Sequence, residues 1–282
     1  MGIEPGIYYR VPFAEYRAWD AVNNSLLGPA LRSRSHFTSA RLELTGEGDT
    51  DAFRFGRLAH ETLLEKSSAV GKYIVPPPAL AEGITTAQGA PAKSPRSTSL
   101  YKRRLQEWRD LNLVGGMVEV TASEMEDLRG VLDAIHTTPL ARSLLEVDDG
   151  PAELSICWRD PDTKELCKAR LDKVAKGGTA IVDLKTTIDA STFERSLFRY
   201  EYHRQCAYYL DGMRALGQKV RESYIVVVEK RPPYGCRAAQ LTDELLDHGR
   251  RSYRRALATI AGPETGYPPE QYFELPSYLR TA

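Results

Sequence analysis

Two strand-like runs joined by adjacent glycines constrain this chain more than any other feature. Residues 165–175 and 179–185 are rich in apolar and β-branched side chains, and Gly177-Gly178 lies between them. Adjacent glycines favour a two-residue hairpin turn because they adopt positive φ without strain. A third strand-like run precedes these two at 152–158. The sequence therefore predicts three consecutive antiparallel strands.

The predicted turn determines which side chains of the hairpin face each other. It places Asp172 directly opposite Asp183, on one face of the sheet and about 5 Å apart. Lys185 lies two residues beyond Asp183 and therefore points to the same face. Arg170 falls opposite Lys185, which would make a second pair of like charges. Carboxylates held this close need a positive partner, and a divalent cation can be that partner.

The two aspartates and Lys185 form a set suited to phosphodiester hydrolysis. Mg²⁺ prefers oxygen ligands and retains water molecules that a phosphate can replace. A bound metal polarises the phosphate and lowers the pKa of an attacking water, and an ammonium balances the developing charge. The alternative is a surface strand with ordinary salt bridges. The apolar neighbours Ile181, Val182 and Leu184 argue against it, because charged residues in an apolar strand are seldom without a role.

The remaining elements indicate an α/β fold. The segment Thr121-x-x-Glu124 matches a capping box at the start of a helix. The order of helices and strands favours a sandwich with a mixed central β-sheet flanked by helices. Helices are predicted at about 51–65, 100–112, 121–136, 191–216 and 242–260, and a further strand at 224–228.

The chain is expected to form a single domain over residues 1–282. Residues 1–50 are predicted to be a helical N-terminal segment, and 51–260 to be the core. Within the core, 76–99 is rich in Pro, Gly, Ser and Thr and is predicted to be a long flexible loop. Residues 261–282 are predicted to be a Pro-rich tail.

Composition excludes several classes of protein. The four cysteines never form a CxxC pair, which argues against zinc and iron–sulfur sites. No apolar run approaches the ~20 residues of a membrane span, and the N-terminus has no signal-peptide pattern. We therefore expect a cytoplasmic protein with no membrane partner.

The charge balance is neutral, with 38 basic and 38 acidic residues, so it does not itself indicate nucleic-acid binding. Basic residues nevertheless cluster at 32–41, 93–104 and 250–255. Each cluster has two interpretations, a nucleic-acid contact or a solvated surface. On charge alone, Lys102, Arg103 and Arg170 are candidates for contacting or supporting DNA.

Five short segments together resemble a known family. They are GRLAH at 56–60, Glu153 in the first strand, RLD at 170–172, IVDLKTT at 181–187 and QCAYY at 205–209. They resemble the PD-(D/E)xK nucleases of the RecB and RecE type, and are most similar to the RecE (exodeoxyribonuclease VIII) group of phage-derived exonucleases. The resemblance covers roughly residues 8–260. It implies a restriction-endonuclease-like core.

The resemblance also implies roles for individual residues. The metal ligands would be His60, Asp172, Asp183 and the backbone carbonyl of Leu184, with Lys185 as the catalytic lysine. Glu153 would assist at the edge of the site, and Gln205 and Tyr209 would hold the site and the DNA backbone in place. Each has a structural alternative: His60 could be a core histidine, Glu153 an ordinary strand carboxylate, and Gln205 and Tyr209 interhelical contacts.

The activity that the resemblance implies is a Mg²⁺-dependent exodeoxyribonuclease, with Mn²⁺ as the alternative metal. It would degrade one strand of double-stranded DNA from an end, 5′ to 3′, leaving a 3′ single strand for a recombination or annealing protein. A ring-like homo-oligomer and a bacterial or phage-infected host cell are further expectations. Two alternatives remain open, a structure-specific or restriction-like endonuclease of the same fold and a catalytically inactive DNA-binding protein.

Overall fold

The computed structural model describes residues 3–43, 51–65, 71–86 and 88–263. The Pro-rich tail predicted at 261–282 therefore lies outside the described residues, apart from its first three positions.

A mixed β-sheet forms the centre of the described chain. Six strands follow the order β1-β4-β5-β6-β7-β8, and all neighbours are antiparallel except β6 and β7. Two short strands, β2 and β3, pair separately in parallel. The strands are β1 (Gly6–Tyr8), β2 (Tyr73–Ile74), β3 (Val118–Glu119), β4 (Ala152–Arg159), β5 (Leu166–Ala175), β6 (Ala180–Thr187), β7 (Glu222–Glu229) and β8 (Cys236–Gln240).

Helices cover both faces of this sheet, as the sequence predicted. The predicted capping box is confirmed, since the Thr121 side chain accepts from the backbone N–H of Glu124 and the Glu124 side chain accepts from that of Thr121. The helices are α1 (Phe13–Ala18), α2 (Asn24–Arg32), α3 (Arg34–Glu43), α4 (Asp51–Leu64), α5 (Ser99–Asn112), α6 (Ala122–Thr137), α7 (Pro139–Arg142), α8 (Phe193–Arg199), α9 (Tyr202–Ala215) and α10 (Asp243–Ala261). Within the described ranges, no helix combines the length and apolar character of a membrane span.

The alternation of side chains along the strands builds two hydrophobic cores. In β7, Ile225 and Val227 pack with α2, α9 and α10 on one face. The intervening Tyr224, Val226 and Val228 pack with α4 and α6 on the other face. This period of two is expected of a strand that is buried on both faces.

The β5–β6 hairpin has the register that the glycines predicted. Ala175 pairs with Ala180 and Lys173 with Val182 across a short turn at Lys176–Gly178. The ladder ends at Lys173 and Val182, and the two strands are not paired beyond that point. The hairpin is therefore closed near its turn and open where the acidic residues lie.

Regular alternation also fails at this opening. Leu171 and Val174 both pack into the same core, although residues three apart in a strand normally lie on opposite faces. In the neighbouring β4, Glu153 has a φ of 49°, although Ala152 and Leu154 pair with β5 on either side of it with no residue inserted. The regular alternation of side chains between the two faces of the sheet is therefore interrupted at Glu153 and Asp172.

Three sequence predictions need correction. The N-terminal segment is not only helical, because β1 pairs with β4; a three-residue edge strand is too short to show alternation. The segment 76–99 is irregular as predicted, but it contains two short 3₁₀ helices, Pro78–Ala81 and Pro95–Ser97. The predicted pairings of Asp172 with Asp183 and of Arg170 with Lys185 across the hairpin are wrong, because the β5–β6 ladder ends at Lys173 and Val182 before it reaches either pair.

Candidate metal site

The main chain of Leu184 lies at the centre of the opening between β5 and β6. Its N–H donates to Oδ2 of Asp172 at 2.7 Å, and its carbonyl oxygen lies 2.8 Å from Nε2 of His60. In a closed hairpin these groups would bond to the β5 backbone. Here side chains from β5 and α4 occupy those positions, so the opening is filled by groups that can also bind a ligand.

His60, Glu153 and Asp172 converge at this opening. Nδ1 of His60 lies 3.7 Å from Oδ2 of Asp172 and 3.9 Å from Oε1 of Glu153. One ligand atom from each of the three residues lies within 4.8 Å of the others. Helix α4 brings His60 here because its buried Leu58 and Leu63 fix the helix against the sheet. The arrangement is that of a site with one nitrogen and two carboxylate donors.

Glu153 reaches this cluster from a strained backbone. A positive φ is uncommon for a residue with a Cβ and usually persists where surrounding contacts enforce it. Arg170 provides such a contact: its Nε donates to Oε2 of Glu153 at 2.5 Å, and its Nη1 to the carbonyl of Val11 at 2.7 Å. Arg170 therefore holds Glu153 in place from the other side of the cluster.

Asp183 and Lys185 extend the site along β6. Nζ of Lys185 lies 2.7 Å from Oδ2 of Asp183, and Nε2 of Gln205 donates to Oδ1 at 2.7 Å. Oδ2 of Asp183 is buried and, among the described residues, accepts no hydrogen bond beyond this ion pair. Gln205 thus orients the carboxylate and leaves its second oxygen to the ammonium.

Burial and charge perturb the titration of the cluster. Burial, together with the nearby Asp183 carboxylate, raises the pKa of Asp172 to about 7. Burial lowers the pKa of His60, but the Asp172 and Glu153 carboxylates outweigh it and raise that pKa to about 9. Burial likewise opposes ionisation of Glu153, yet His60 and Arg170 lower its pKa. In the metal-free site His60 therefore carries a proton near neutral pH, and a metal ion that binds there would replace that positive charge beside the carboxylates.

The donor set fits a divalent metal ion. Carboxylate oxygens, a backbone carbonyl and an imidazole nitrogen are ligands of Mg²⁺ and Mn²⁺. Asp172 is the acidic residue best placed for this role, because its carboxylate accepts from the Leu184 N–H and also lies 3.7 Å from Nδ1 of His60. His60, Glu153 and Asp172 can hold a metal directly, with Asp183 and the Leu184 carbonyl beside them.

Three other predicted residues, Tyr209, Lys102 and Arg103, lie outside the cluster of His60, Glu153 and Asp172. Burial raises the pKa of the Tyr209 hydroxyl well above its usual value, and the Asp183 and Asp172 carboxylates add to this effect. Lys102 and Arg103 lie on α5, which packs on the two 3₁₀ helices, and the salt bridge of Arg103 is to Glu107 on its own helix. In the part of the chain that the structure describes, no contact joins these two residues to the cluster.

Sequence reasoning missed Tyr202. Nζ of Lys185 lies 4.8 Å from the centre of its ring, within the range of a cation–π interaction. The spacing of Tyr202, Gln205 and Tyr209 at i, i+3 and i+7 on one helix face was the available signal. That signal is weak, because core helices show the same spacing.

Comparison with known proteins adds the family and the fold. Residues 24–266 match the family described as a PDDEXK-like domain of unknown function (DUF3799). A candidate exonuclease from Eubacterium rectale has a similar structure, with a TM-score of 0.52 at 12% sequence identity over 86% of this chain and 81% of that one. A phage-related exonuclease from Haemophilus somnus 129PT gives a TM-score of 0.31 at 14% identity over 65% and 91%. No curated protein matches the chain.

The family match confirms the superfamily that the sequence motifs indicated, and the Eubacterium rectale structure supports the same fold. Because the match covers residues 24–266 of the 282-residue chain, the chain belongs to the family of PDDEXK-like domains.

Proposed function

We propose that this protein is a metal-dependent deoxyribonuclease that removes nucleotides from an end of double-stranded DNA. One observation carries the proposal: the ligand atoms of His60, Glu153 and Asp172 lie within 4.8 Å of one another. They lie beside a partly buried ion pair between Lys185 and Asp183. A metal-binding cluster next to an ammonium is a combination suited to phosphodiester hydrolysis.

Different residues of the site would have different roles in hydrolysis. A bound divalent metal would neutralise the phosphate and favour ionisation of water. Lys185 stays protonated, since the Asp183 and Asp172 carboxylates outweigh the effect of burial and raise its pKa. Its ammonium can contact a phosphate oxygen and offset the charge that develops during in-line attack. Gln205 fixes the Asp183 carboxylate, which in turn fixes the position of that ammonium.

The finer features of the activity follow from the family resemblance. They are attack from DNA ends, 5′-to-3′ polarity and a 3′ single-stranded product handed to an annealing protein. The likeness to a candidate exonuclease supports an end-dependent reaction over an endonucleolytic one. We extend the proposal to Mg²⁺ as the metal and to a ring-like homo-oligomer around DNA.

Digestion of labelled DNA tests the proposal. Linear duplex with a 5′-phosphate or a 5′-hydroxyl, labelled at either end, is incubated with Mg²⁺ or with EDTA, beside supercoiled circular DNA. We expect metal-dependent loss of the label from linear DNA and an intact circle. Cutting of the circle would instead identify an endonuclease, and no cutting of any DNA with any divalent metal would contradict the proposal.

A pair of lysine variants separates catalysis from general charge. Lys185→Met is expected to slow cleavage by about 10²-fold or more, because it removes the ammonium beside the reacting phosphate. Lys176→Met in the turn of the same hairpin is the matched control, since Lys176 pairs with Glu222 on the protein surface. Equal rates for Lys185→Met and wild type would refute the role of Lys185.

A further inference from the structure

A row of aromatic rings leads outward from Lys185. The ring of Tyr202 lies 4.8 Å from Nζ of Lys185. The ring of Phe193 stacks on that of Tyr202, with the ring centres 5.7 Å apart and an interplanar angle of 10°. The ring of Tyr200 lies a further 5.7 Å from that of Tyr202. Two tyrosines therefore connect the ammonium of the candidate site to the protein surface.

Tyr200 differs from its neighbours in exposure. Phe193 is buried in the core, whereas 54% of Tyr200 is exposed to solvent. The guanidinium of Arg199 lies 5.5 Å from the Tyr200 ring and adds a positive charge beside it. An exposed aromatic face next to a cation is the combination that proteins use to bind unpaired bases of nucleic acids.

A strained residue lies within this row. Glu201, between the two tyrosines, has a φ of 56° and lies just before the start of α9. Its carboxylate is held by Arg204 at 3.5 Å and by the Ser252 hydroxyl at 3.2 Å. On either side of this residue, Tyr202 contacts Lys185 while Tyr200 is exposed to solvent. Left-handed conformations such as that of Glu201 are costly and tend to occur where function requires them.

An exposed tyrosine at a helix junction is by itself common and needs no function. Two observations set Tyr200 apart: its ring lies next to that of Tyr202, which contacts Lys185, and the residue between the two tyrosines has a positive φ. We propose that Tyr200 stacks on an unpaired base of the DNA strand that reacts, one or a few nucleotides from the scissile phosphate. This inference rests on the proposed nuclease function and specifies its substrate as a strand separated from its complement near the site.

The stacking contact predicts which form of DNA the protein recognises. Every base has a π face, so a tyrosine that stacks on it selects unpaired DNA without selecting a sequence. Arg199 would strengthen the contact by its charge next to the ring and the DNA backbone. The duplex end must therefore fray before the strand reaches Lys185.

Removal of single bases tests this contact against variants of Tyr200. A fluorescent single-stranded oligonucleotide carries one abasic residue at each of the first positions from either end in turn. Its dissociation constant is measured by fluorescence anisotropy in EDTA, so that cleavage does not contribute. The proteins are wild type, Tyr200→Phe, which keeps the ring, and Tyr200→Leu, which keeps an apolar side chain without a π face.

At one position we expect the abasic residue to weaken binding by wild type and by Tyr200→Phe about tenfold. Tyr200→Leu should bind intact DNA about tenfold more weakly and change less than about twofold on base removal. Independent effects of base and ring at every position would overturn the stacking contact, as would equal affinity of wild type and Tyr200→Leu. A coupled effect in a protein that cleaves no DNA would retain the stacking contact and refute the nuclease function instead.

Discussion

Glu153 provides the sharpest test of backbone strain in the candidate site. Its φ of 49° lies in the left-handed region, in a strand whose register is unbroken on either side. This conformation costs about 1–2 kcal/mol for a residue with a Cβ, whereas glycine adopts it freely. Glu153→Gly and Glu153→Ala both delete the carboxylate and its bond to Arg170. The difference between them therefore isolates the backbone, and we expect the glycine variant to be more stable by about 1 kcal/mol.

Urea unfolding followed by circular dichroism measures the free energy of unfolding of both variants. In a thermal scan, 1 kcal/mol corresponds to about 2–4 °C in a chain of this size. Ala152→Gly is the matched control in the same strand: Ala152 has no positive φ, so glycine there should cost about 0.5–1 kcal/mol. A glycine variant at 153 that is no more stable than the alanine variant would refute the strain. Both variants should lose most DNA cleavage, because neither has the carboxylate.

Three further predictions concern protonation and packing. At pH 7 the metal-free protein should carry a proton on His60 and part of one on Asp172, whose pKa values are about 9 and about 7. Because ligands bind metal in their deprotonated forms, Mg²⁺ or Mn²⁺ binding should release protons at pH 7, and the affinity should increase as the pH rises to about 9. Calorimetry in two buffers of different ionisation enthalpy measures the number of protons released. Metal binding without proton release would contradict this prediction. Lys168→Met should lower stability by about 3 kcal/mol in urea unfolding, since the buried ammonium donates to three backbone carbonyls at the end of α1 and just beyond it. Gly249→Ala should cost about 2 kcal/mol by the same assay, because its Cβ would lie 2.3 Å from a backbone oxygen of α9, whereas Gly28→Ala, with no atom nearer than 3.9 Å, should be neutral or stabilising.

The β5–β6 hairpin shows how much strand pairing can be predicted from the local sequence. Gly177 and Gly178 predicted the turn, and the turn predicted the three pairs that the β5–β6 ladder forms. The end of the ladder could not be predicted in this way. It depends on His60 and Asp172 taking the main-chain groups of Leu184, and His60 is far away along the chain.

The residues of the candidate site were predicted on different grounds. Strand geometry indicated Asp172, Asp183 and Lys185, whereas only the family resemblance indicated His60, Glu153 and Gln205. Periodicity could not supply Glu153, because a left-handed residue breaks the alternation on which periodicity depends. The same limit applies to Arg170, whose position opposite Lys185 assumed a ladder that continued.

The opening between β5 and β6 has an evolutionary consequence. At Leu184 both polar contacts are made by atoms of the polypeptide backbone, and the leucine side chain is buried elsewhere in the core. Genetic drift at this codon can therefore exchange one apolar residue for another without deleting the carbonyl. Only a change that shifts the path of the strand, or a proline that removes the N–H, would abolish this contribution. The polar contacts at that position are thus preserved in most point mutations.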